Sequence, residues 1–380
     1  MNTARFQEFD LERLLSDYEQ TVEINLSESG VHPLTLAELV RGNQDMLAAL
    51  LDTSLNYPQV NGEDSLRARI AALYEGADPD NILVTVGAAE ANYIAGRVLA
   101  QVAGEMVVMM PNYLQLWGVA RNAGCAVRRL SLRADDDWSL DTEALNRVVT
   151  PDTSVIAVCN PNNPTGTVLA PEEMTAVVEA ARGVGAWILA DEVYAGAERC
   201  TDTQTPSFWG LYDKVIAIGS LSKAYGLPGL RVGWMVAPLD FIRAAWRRHE
   251  YTTIAATALS NGLATYALSD DVREFLIDRS RAHVRRGYTI LEAWLGEHPE
   301  TLRCTPPHAG AIACVRYAFD VPSQPLAHTL RCDHSVLVVP GAYSGAEGHL
   351  RIAFGGREDM LSEGLARLSA CFATMRRRPD

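Results

Sequence analysis

Over its first two thirds the chain alternates short apolar runs with stretches of helical periodicity. Residues 82–86 read Ile-Leu-Val-Thr-Val, and similar runs occupy 106–110, 155–159, 187–190, 215–219 and 232–236. Apolar runs without polar alternation mark strands buried on both faces, and the helical stretches between them supply the cover. The pattern predicts a doubly wound α/β domain with a mostly parallel sheet over residues 45–280. Helical periodicity then persists over 241–268, weakened only at Gly262, and again over 272–297. After Pro306 come short strand-like pieces at 311–315, 336–339 and 349–354, and a last helix at 358–374. Residues 281–380 therefore predict a smaller α+β domain. The N-terminal residues 1–44, helix-like at 11–18, are expected to pack on it.

Composition narrows the possibilities. A chain of 380 residues that is 48% hydrophobic and 21% charged can bury a large core. A formal net charge of -14 argues against nucleic acid, whose phosphates call for clustered cations. The Arg376-Arg377-Arg378 run reads as a solvated tail. No opening apolar run resembles a signal peptide, and no segment approaches the roughly 20 apolar residues that span a bilayer. Seven cysteines without a CxxC pair indicate neither a metal site nor a disulfide framework. The expectation is a cytoplasmic protein with no membrane partner. Lysine is confined to Lys214 and Lys223, so chemistry that needs a lysine amine must use one of these two.

Lys223 lies in Ser220-Leu221-Ser222-Lys223-Ala224-Tyr225-Gly226-Leu227-Pro228-Gly229-Leu230-Arg231, directly after an apolar run. Ligands of α/β sheets sit at the carboxyl ends of strands. Two hydroxyls, an amine and a guanidinium suit a phosphorylated aldehyde there: Lys223 forms an imine, and Ser220, Ser222 and Arg231 hold the phosphate. A surface lysine in a Gly-rich loop is the plain alternative. Asp191 follows the 187–190 run and can pair with a pyridinium nitrogen, or simply cap a helix. Tyr194 can bond the ring's phenolic oxygen. Asn163, in Asn160-Pro161-Asn162-Asn163-Pro164-Thr165-Gly166, is a fixed donor to the same oxygen or part of a plain turn. Ala88 and Ala89 open a helix after Gly87, where backbone N–H groups can bind phosphate. Tyr113 offers a stacking face or a core ring. Arg351 faces away from Leu350 and Ile352, either as a solvated residue or as a clamp for a carboxylate.

Together these strings resemble the class I/II aminotransferase family of fold-type I enzymes dependent on pyridoxal 5′-phosphate (PLP). The resemblance runs through Tyr57-Pro58 to Gly62, Gly87, Tyr113, Asn163 to Gly166, Asp191 to Tyr194, Ser220 to Arg231 and Arg351. It implies that Lys223 is the Schiff-base lysine and general base, with Asp191 on the pyridine nitrogen and Tyr113 stacked on the ring. It implies Asn163 and Tyr194 on the phenolic oxygen, phosphate contacts from Ala88, Ala89, Ser220, Ser222 and Arg231, and Arg351 on an α-carboxylate. Tyr57 would reach the phosphate of a second subunit, which implies a homodimer with shared sites. Ala88-Ala89 departs from relatives with hydroxyls there, and no second arginine can be assigned to a dicarboxylate side chain.

The stretches Glu28-Ser29-Gly30-Val31-His32 and 222–234 resemble amino-acid-tailoring enzymes of the capreomycidine synthase type. Gly30, Val31 and His32 are accordingly expected near the substrate. Side-chain specificity is expected in residues 27–35, 113–117 and 251–257. Two reactions on an α-amino acid remain open: transamination, and elimination, replacement or cyclisation, for instance of S-adenosylmethionine or a hydroxylated arginine. A non-enzymatic PLP-binding regulator is disfavoured, because Lys223 is retained and no DNA-binding extension is present.

Overall fold

The apolar runs become strands whose side chains alternate between two separate cores. The computed structural model describes residues 6–101 and 104–375; the Arg376-Arg377-Arg378 run lies outside them. Nine strands precede residue 240: β1 (Ile24–Asn25), β2 (Ile82–Thr85), β3 (Glu105–Met110), β4 (Ala126–Arg133), β5 (Ser139–Leu140), β6 (Thr153–Cys159), β7 (Trp187–Asp191), β8 (Val215–Ser220) and β9 (Gly233–Val236). Eight of them form one sheet in the order β2-β9-β8-β7-β6-β3-β4-β5. Met106, Val108, Val155, Ala157 and Leu189 pack with helices Gly87–Leu99 and Leu239–His249 on one face. Their neighbours Val107, Met109, Ile156, Val158 and Ile188 pack with helix Pro171–Val184 on the other. Period-2 alternation with both faces apolar is what makes each strand read as a continuous run.

The strands β8, β7, β6, β3 and β4 are mutually parallel, while β9 runs antiparallel to both of its neighbours. The reversal matters for the site. It puts the start of β9, just after Arg231, beside the carboxyl ends of β2 and β8, with Gly233 opposite both Thr85 and Ser220. A Cβ on Gly233 would lie 2.3 Å from the Ala88 backbone nitrogen, so glycine allows this close approach.

A second sheet, β10 (Leu302–Arg303), β11 (Ile312–Tyr317), β13 (Val339–Pro340) and β14 (His349–Ala353), follows in the smaller unit, with β12 (Val336–Leu337) between. β1 pairs in parallel with β12, Ile24 opposite Val336 and Asn25 opposite Leu337. No helix among the described residues is long and apolar enough to cross a membrane.

Three expectations change. The helix expected over 241–268 is two, Leu239–His249 and Ala258–Ala267. Between them Ile254 takes a left-handed φ of 68°, and the Thr257 side chain accepts from the Ser260 N–H, restarting the helix. Gly262 lies inside the second helix. The piece at 336–339 splits into β12 and β13, which pair with different partners. β4 and β5 were not legible as strands. β4 reads Ala-Val-Arg-Arg-Leu-Ser-Leu-Arg, and its polar positions face solvent near the sheet edge, so no apolar run marks it.

Candidate active site

Four strand ends, side by side in the order β8, β7, β6, β3, form the floor of a cavity of about 290 Å³. Each delivers one predicted residue: Lys223 after β8, Asp191 at the end of β7, Asn163 after β6 and Tyr113 after β3. Adjacent strands lie about 4.8 Å apart, so four loops far apart in sequence converge within reach of one small molecule. Tyr194, Ala88, Ala89, Ser220, Ser222, Arg231 and Arg351 also line it.

The Lys223 Nζ donates to Glu28 Oε1 at 2.9 Å. Burial disfavours its ammonium, but Glu28 and the Tyr194 hydroxyl outweigh that and hold its pKa above the usual lysine value. The same ion pair, aided by the Gly30 N–H, lowers the Glu28 carboxyl to about 2. In the cofactor-free protein, protonating Glu28 breaks the pair. Glu28 therefore contributes stability that is present above the ordinary 4.5 and is lost as pH falls towards about 2. Glu28→Gln is expected to flatten the acid dependence of denaturant unfolding over that window; an unchanged profile would mean that the pair adds nothing to stability.

Asp191 is 8% exposed. Its partners are the Asn92 Nδ2 at 2.8 Å and the Val193 N–H at 3.3 Å, both neutral. Burial raises its pKa above the ordinary aspartate value. A desolvated carboxylate of this kind is stabilised by a cation brought in by a ligand.

At one end of the cavity, helix Gly87–Leu99 starts without a side-chain cap, leaving N–H groups at its first turn. Gly87 has φ 79°, and a Cβ there would meet the Arg231 guanidinium at 2.4 Å. The guanidinium thus lies against the helix start. Ser220 Oγ accepts from the Ser222 N–H at 2.9 Å, folding the lysine loop towards the same place. Helix N–H groups, two hydroxyls and a guanidinium make a phosphate-binding set.

Opposite them, Arg351 is 2% exposed on β14. It donates to Asn163 Oδ1 at 3.1 Å and to the Ser27 carbonyl at 2.6 Å, while its Nε is buried without a partner. Asn163 Nδ2 in turn donates to the Tyr194 hydroxyl at 3.1 Å. The Asn160–Pro161 and Asn163–Pro164 bonds in this loop are both cis. Arg351, Asn163 and Tyr194 thus form one hydrogen-bonded line across the cavity.

The Tyr113 ring meets Phe9 at 4.8 Å, and its hydroxyl donates to Glu12 Oε1 at 2.6 Å. Burial, then Glu12, pushes its pKa well above the ordinary tyrosine value.

Some expected residues are elsewhere. Val31 packs in the hydrophobic core, and His32 is exposed with its ring 6.4 Å from that of His283; neither lines the cavity. Ser27, Glu28 and Ser29 line the cavity instead, with the Glu28 side chain half exposed at its edge. Gly30 borders the site, and a Cβ on it would lie 3.3 Å from Glu28 Oε1 and 3.8 Å from Lys223 Cδ. Tyr57, 87% exposed, and the 251–257 segment lie outside the cavity of this single chain. Sequence reasoning missed Glu12, Glu28 as a side chain, and Asn92, which lies five positions after Gly87 on its helix. Helical spacing turns Asn92 towards the strand ends, but an asparagine mid-helix carries no signal of its own.

The residues present fit PLP: a buried carboxylate lacking a cation, an uncapped helix start beside a guanidinium, and a lysine amine share one cavity. A model of the aminotransferase class I and II family matches residues 21–368. Capreomycidine synthase of Streptomyces vinaceus is 30% identical, over 91% of this chain and 88% of its own. A PLP-dependent aminotransferase from Streptococcus suis superposes with a TM-score of 0.92 at 30% identity, covering 99% of this chain and all of the other. The PLP-dependent cyclase OrfR superposes with a TM-score of 0.88 at 31% identity, over 99% and 98% of the two chains. The chain belongs to the class I and II aminotransferases, PLP-dependent enzymes of fold type I that act on α-amino acids.

Proposed function

We propose that Lys223 links covalently to PLP and moves the Cα proton of an α-amino acid whose carboxylate is held by Arg351. The supporting observation is that both side chains face one cavity, with the Arg351 Nε buried and lacking a partner. When bound, PLP supplies an electron sink for the carbanion left at Cα. Asp191 would hold the ring nitrogen protonated. Asn163, oriented by Arg351, and Tyr194 would bind the phenolic oxygen. Ala88 and Ala89 N–H groups, Ser220, Ser222 and Arg231 would hold the phosphate, and Tyr113 would cover one ring face. Arg351 presents a planar donor set to a carboxylate, which orients Cα towards Lys223. Helix Asp10–Tyr18 brings Leu11 and Leu15 over the cavity, where they exclude water.

Arg351→Ala is expected to raise the dissociation constant for any accepted amino acid by about 10²- to 10³-fold while PLP stays bound. Arg351→Lys, with no planar fork, should recover only part of this. Absorbance titration measures both, and wild-type affinity in the alanine variant would remove the carboxylate role.

Transamination is the first reading, supported by the family match over residues 21–368. Cyclisation or another elimination-type reaction is the second reading, supported by the relatives named capreomycidine synthase and cyclase. A single-turnover scan of the holoenzyme against a panel of amino acids separates them. Stoichiometric pyridoxamine phosphate supports transamination, whereas a transient band followed by the original spectrum, with product released, supports the second reading.

The enzyme would be a cytoplasmic homodimer, each subunit with a large domain of residues 45–280 and a small one of 1–44 with 281–380. Leu51, Leu55, Tyr57 and Tyr251 are each more than four-fifths exposed, an apolar load that a second copy would cover. In that dimer Tyr57 would reach the partner's phosphate site.

A further inference from the structure

The 251–257 segment lies outside the cavity, yet it is fastened to the helix start that faces it. Glu90 belongs to the first turn of helix Gly87–Leu99. Its Oε2 accepts from the Val86 N–H at 2.6 Å, just before the helix. Val86 has no side-chain oxygen to cap the helix, so Glu90 ties the end of β2 to the first turn from behind. Its Oε1 accepts from the Thr253 hydroxyl at 2.7 Å, the Thr253 N–H at 3.3 Å and the Thr252 hydroxyl. His249, wholly buried at the end of helix Leu239–His249, sets its Nε2 3.4 Å from Glu90 Oε2 and 3.3 Å from Thr253 Oγ1. Its Nδ1 is buried without a partner, so the ring makes its polar contacts through Nε2 alone.

The Glu90 side chain is 8% exposed. Burial raises its pKa, but hydrogen bonds from His249, Thr252, Val86 and Thr253 outweigh that and bring it to about 2. One buried carboxylate thus gathers donors from the turn after β2, from a helix end and from the 252–253 turn. An anion there repels a phosphate dianion at the same helix start, so charge alone gives Glu90 no favourable part in binding one. Its bonding points to geometry instead. The chain passes from β2 into the helix through Gly87 at φ 79°, and the orientation of this turn decides where the Ala88 and Ala89 N–H groups point.

Resting on the proposed function, we propose that Glu90 is a positioning residue for the cofactor phosphate. By holding Val86 against His249 and Thr253, it fixes the turn whose N–H groups face the cavity. The 251–257 segment, expected to govern side-chain specificity, thereby acts as a brace for the phosphate turn.

The test is reconstitution of the cofactor-depleted full chain with PLP and, separately, with pyridoxal, which keeps the aldehyde and ring but lacks the phosphate. Absorbance of the lysine-linked chromophore gives both dissociation constants. In Glu90→Gln the amide NH2 must face either the Val86 N–H or the Thr253 donors, so one side of the brace opens. PLP affinity is expected to fall about 10-fold, with pyridoxal affinity held within about 2-fold. Thr253→Val, which removes one hydroxyl from an exposed residue, should lower the ratio of PLP to pyridoxal affinity by about 3-fold. Should Glu90→Gln fail to fold, the Thr253→Val ratio decides. Equal losses for the two ligands would make Glu90 a support of the fold alone and overturn the proposal. So would a ratio unmoved in both variants, or tighter PLP binding by Glu90→Gln, the result expected if its charge acted only by repulsion. A wild-type chain that binds pyridoxal as tightly as PLP, or forms no lysine-linked chromophore, would instead overturn the proposed phosphate site or the proposed function.

Discussion

Lys223→Ala is expected to leave a folded protein that carries no covalently bound PLP and has lost at least ~10⁴-fold in turnover. Two proposed roles would end at once: the covalent link, and the base that reaches Cα. Lys223→Arg should do no better, since a guanidinium stays charged and forms no imine under these conditions. Borohydride reduction of the wild-type holoenzyme followed by peptide mapping should place the label on Lys223. Label on Lys214 would refute the assignment. The fold gives a reason to expect otherwise: Lys214 and Lys223 flank opposite ends of β8, about 20 Å apart along the strand. The Lys214 Nζ is spent on the Gly185 carbonyl at 2.7 Å, away from the cavity.

Asp191→Asn is expected to lower kcat by about 10²- to 10³-fold, with PLP retained. The side chain is buried and its partners are neutral, so the substitution keeps the shape, removes the charge that would hold a ring nitrogen protonated, and turns one of two acceptor oxygens into a donor facing the Asn92 amide or the Val193 N–H. A ring nitrogen kept protonated by this carboxylate would withdraw electrons from Cα as its proton leaves, so the loss should appear in kcat rather than in KM. Unchanged kcat would mean that the ring nitrogen has no need of Asp191. Asn92→Ala tests the support from behind. It should give a smaller loss together with a changed pH profile, because Asn92 donates to Asp191 without touching the substrate.

Much of the site was legible along the chain because its chemistry sits in local strings. A lysine, two serines and an arginine in twelve residues, or an aspartate directly after an apolar run, carry their meaning without distant contacts. The sheet was legible for a related reason. Strands covered on both faces are apolar throughout, and only the edge pair β4 and β5, polar on one side, escaped notice.

Other features depend on tertiary placement. His32 seemed the functional member of its segment, yet the half-exposed Glu28 is the side chain that meets Lys223, 195 positions away, while His32 lies in solvent. A glutamate in a loop is by default a solvated charge, and nothing local distinguishes Glu28 or Glu12 from the other acids of this chain. The break at 250–257 was hidden because apolar spacing continues through it; the left-handed Ile254 and the Thr257 cap end one helix and start the next.

The sequence by itself determined the apolar strands of the large sheet, the lysine, and the residue types that suit a phosphorylated aldehyde, since each depends on near neighbours and on burial. Only the tertiary structure decided that β9 runs backwards to bring Arg231 against Gly87, and that Arg351 crosses from the smaller sheet to Asn163. It also decided which carboxylates face the cavity. The physical reason is the same throughout: hydrogen bonds and ion pairs between residues more than a hundred positions apart are set by strand order and side-chain direction, which no short stretch of sequence records.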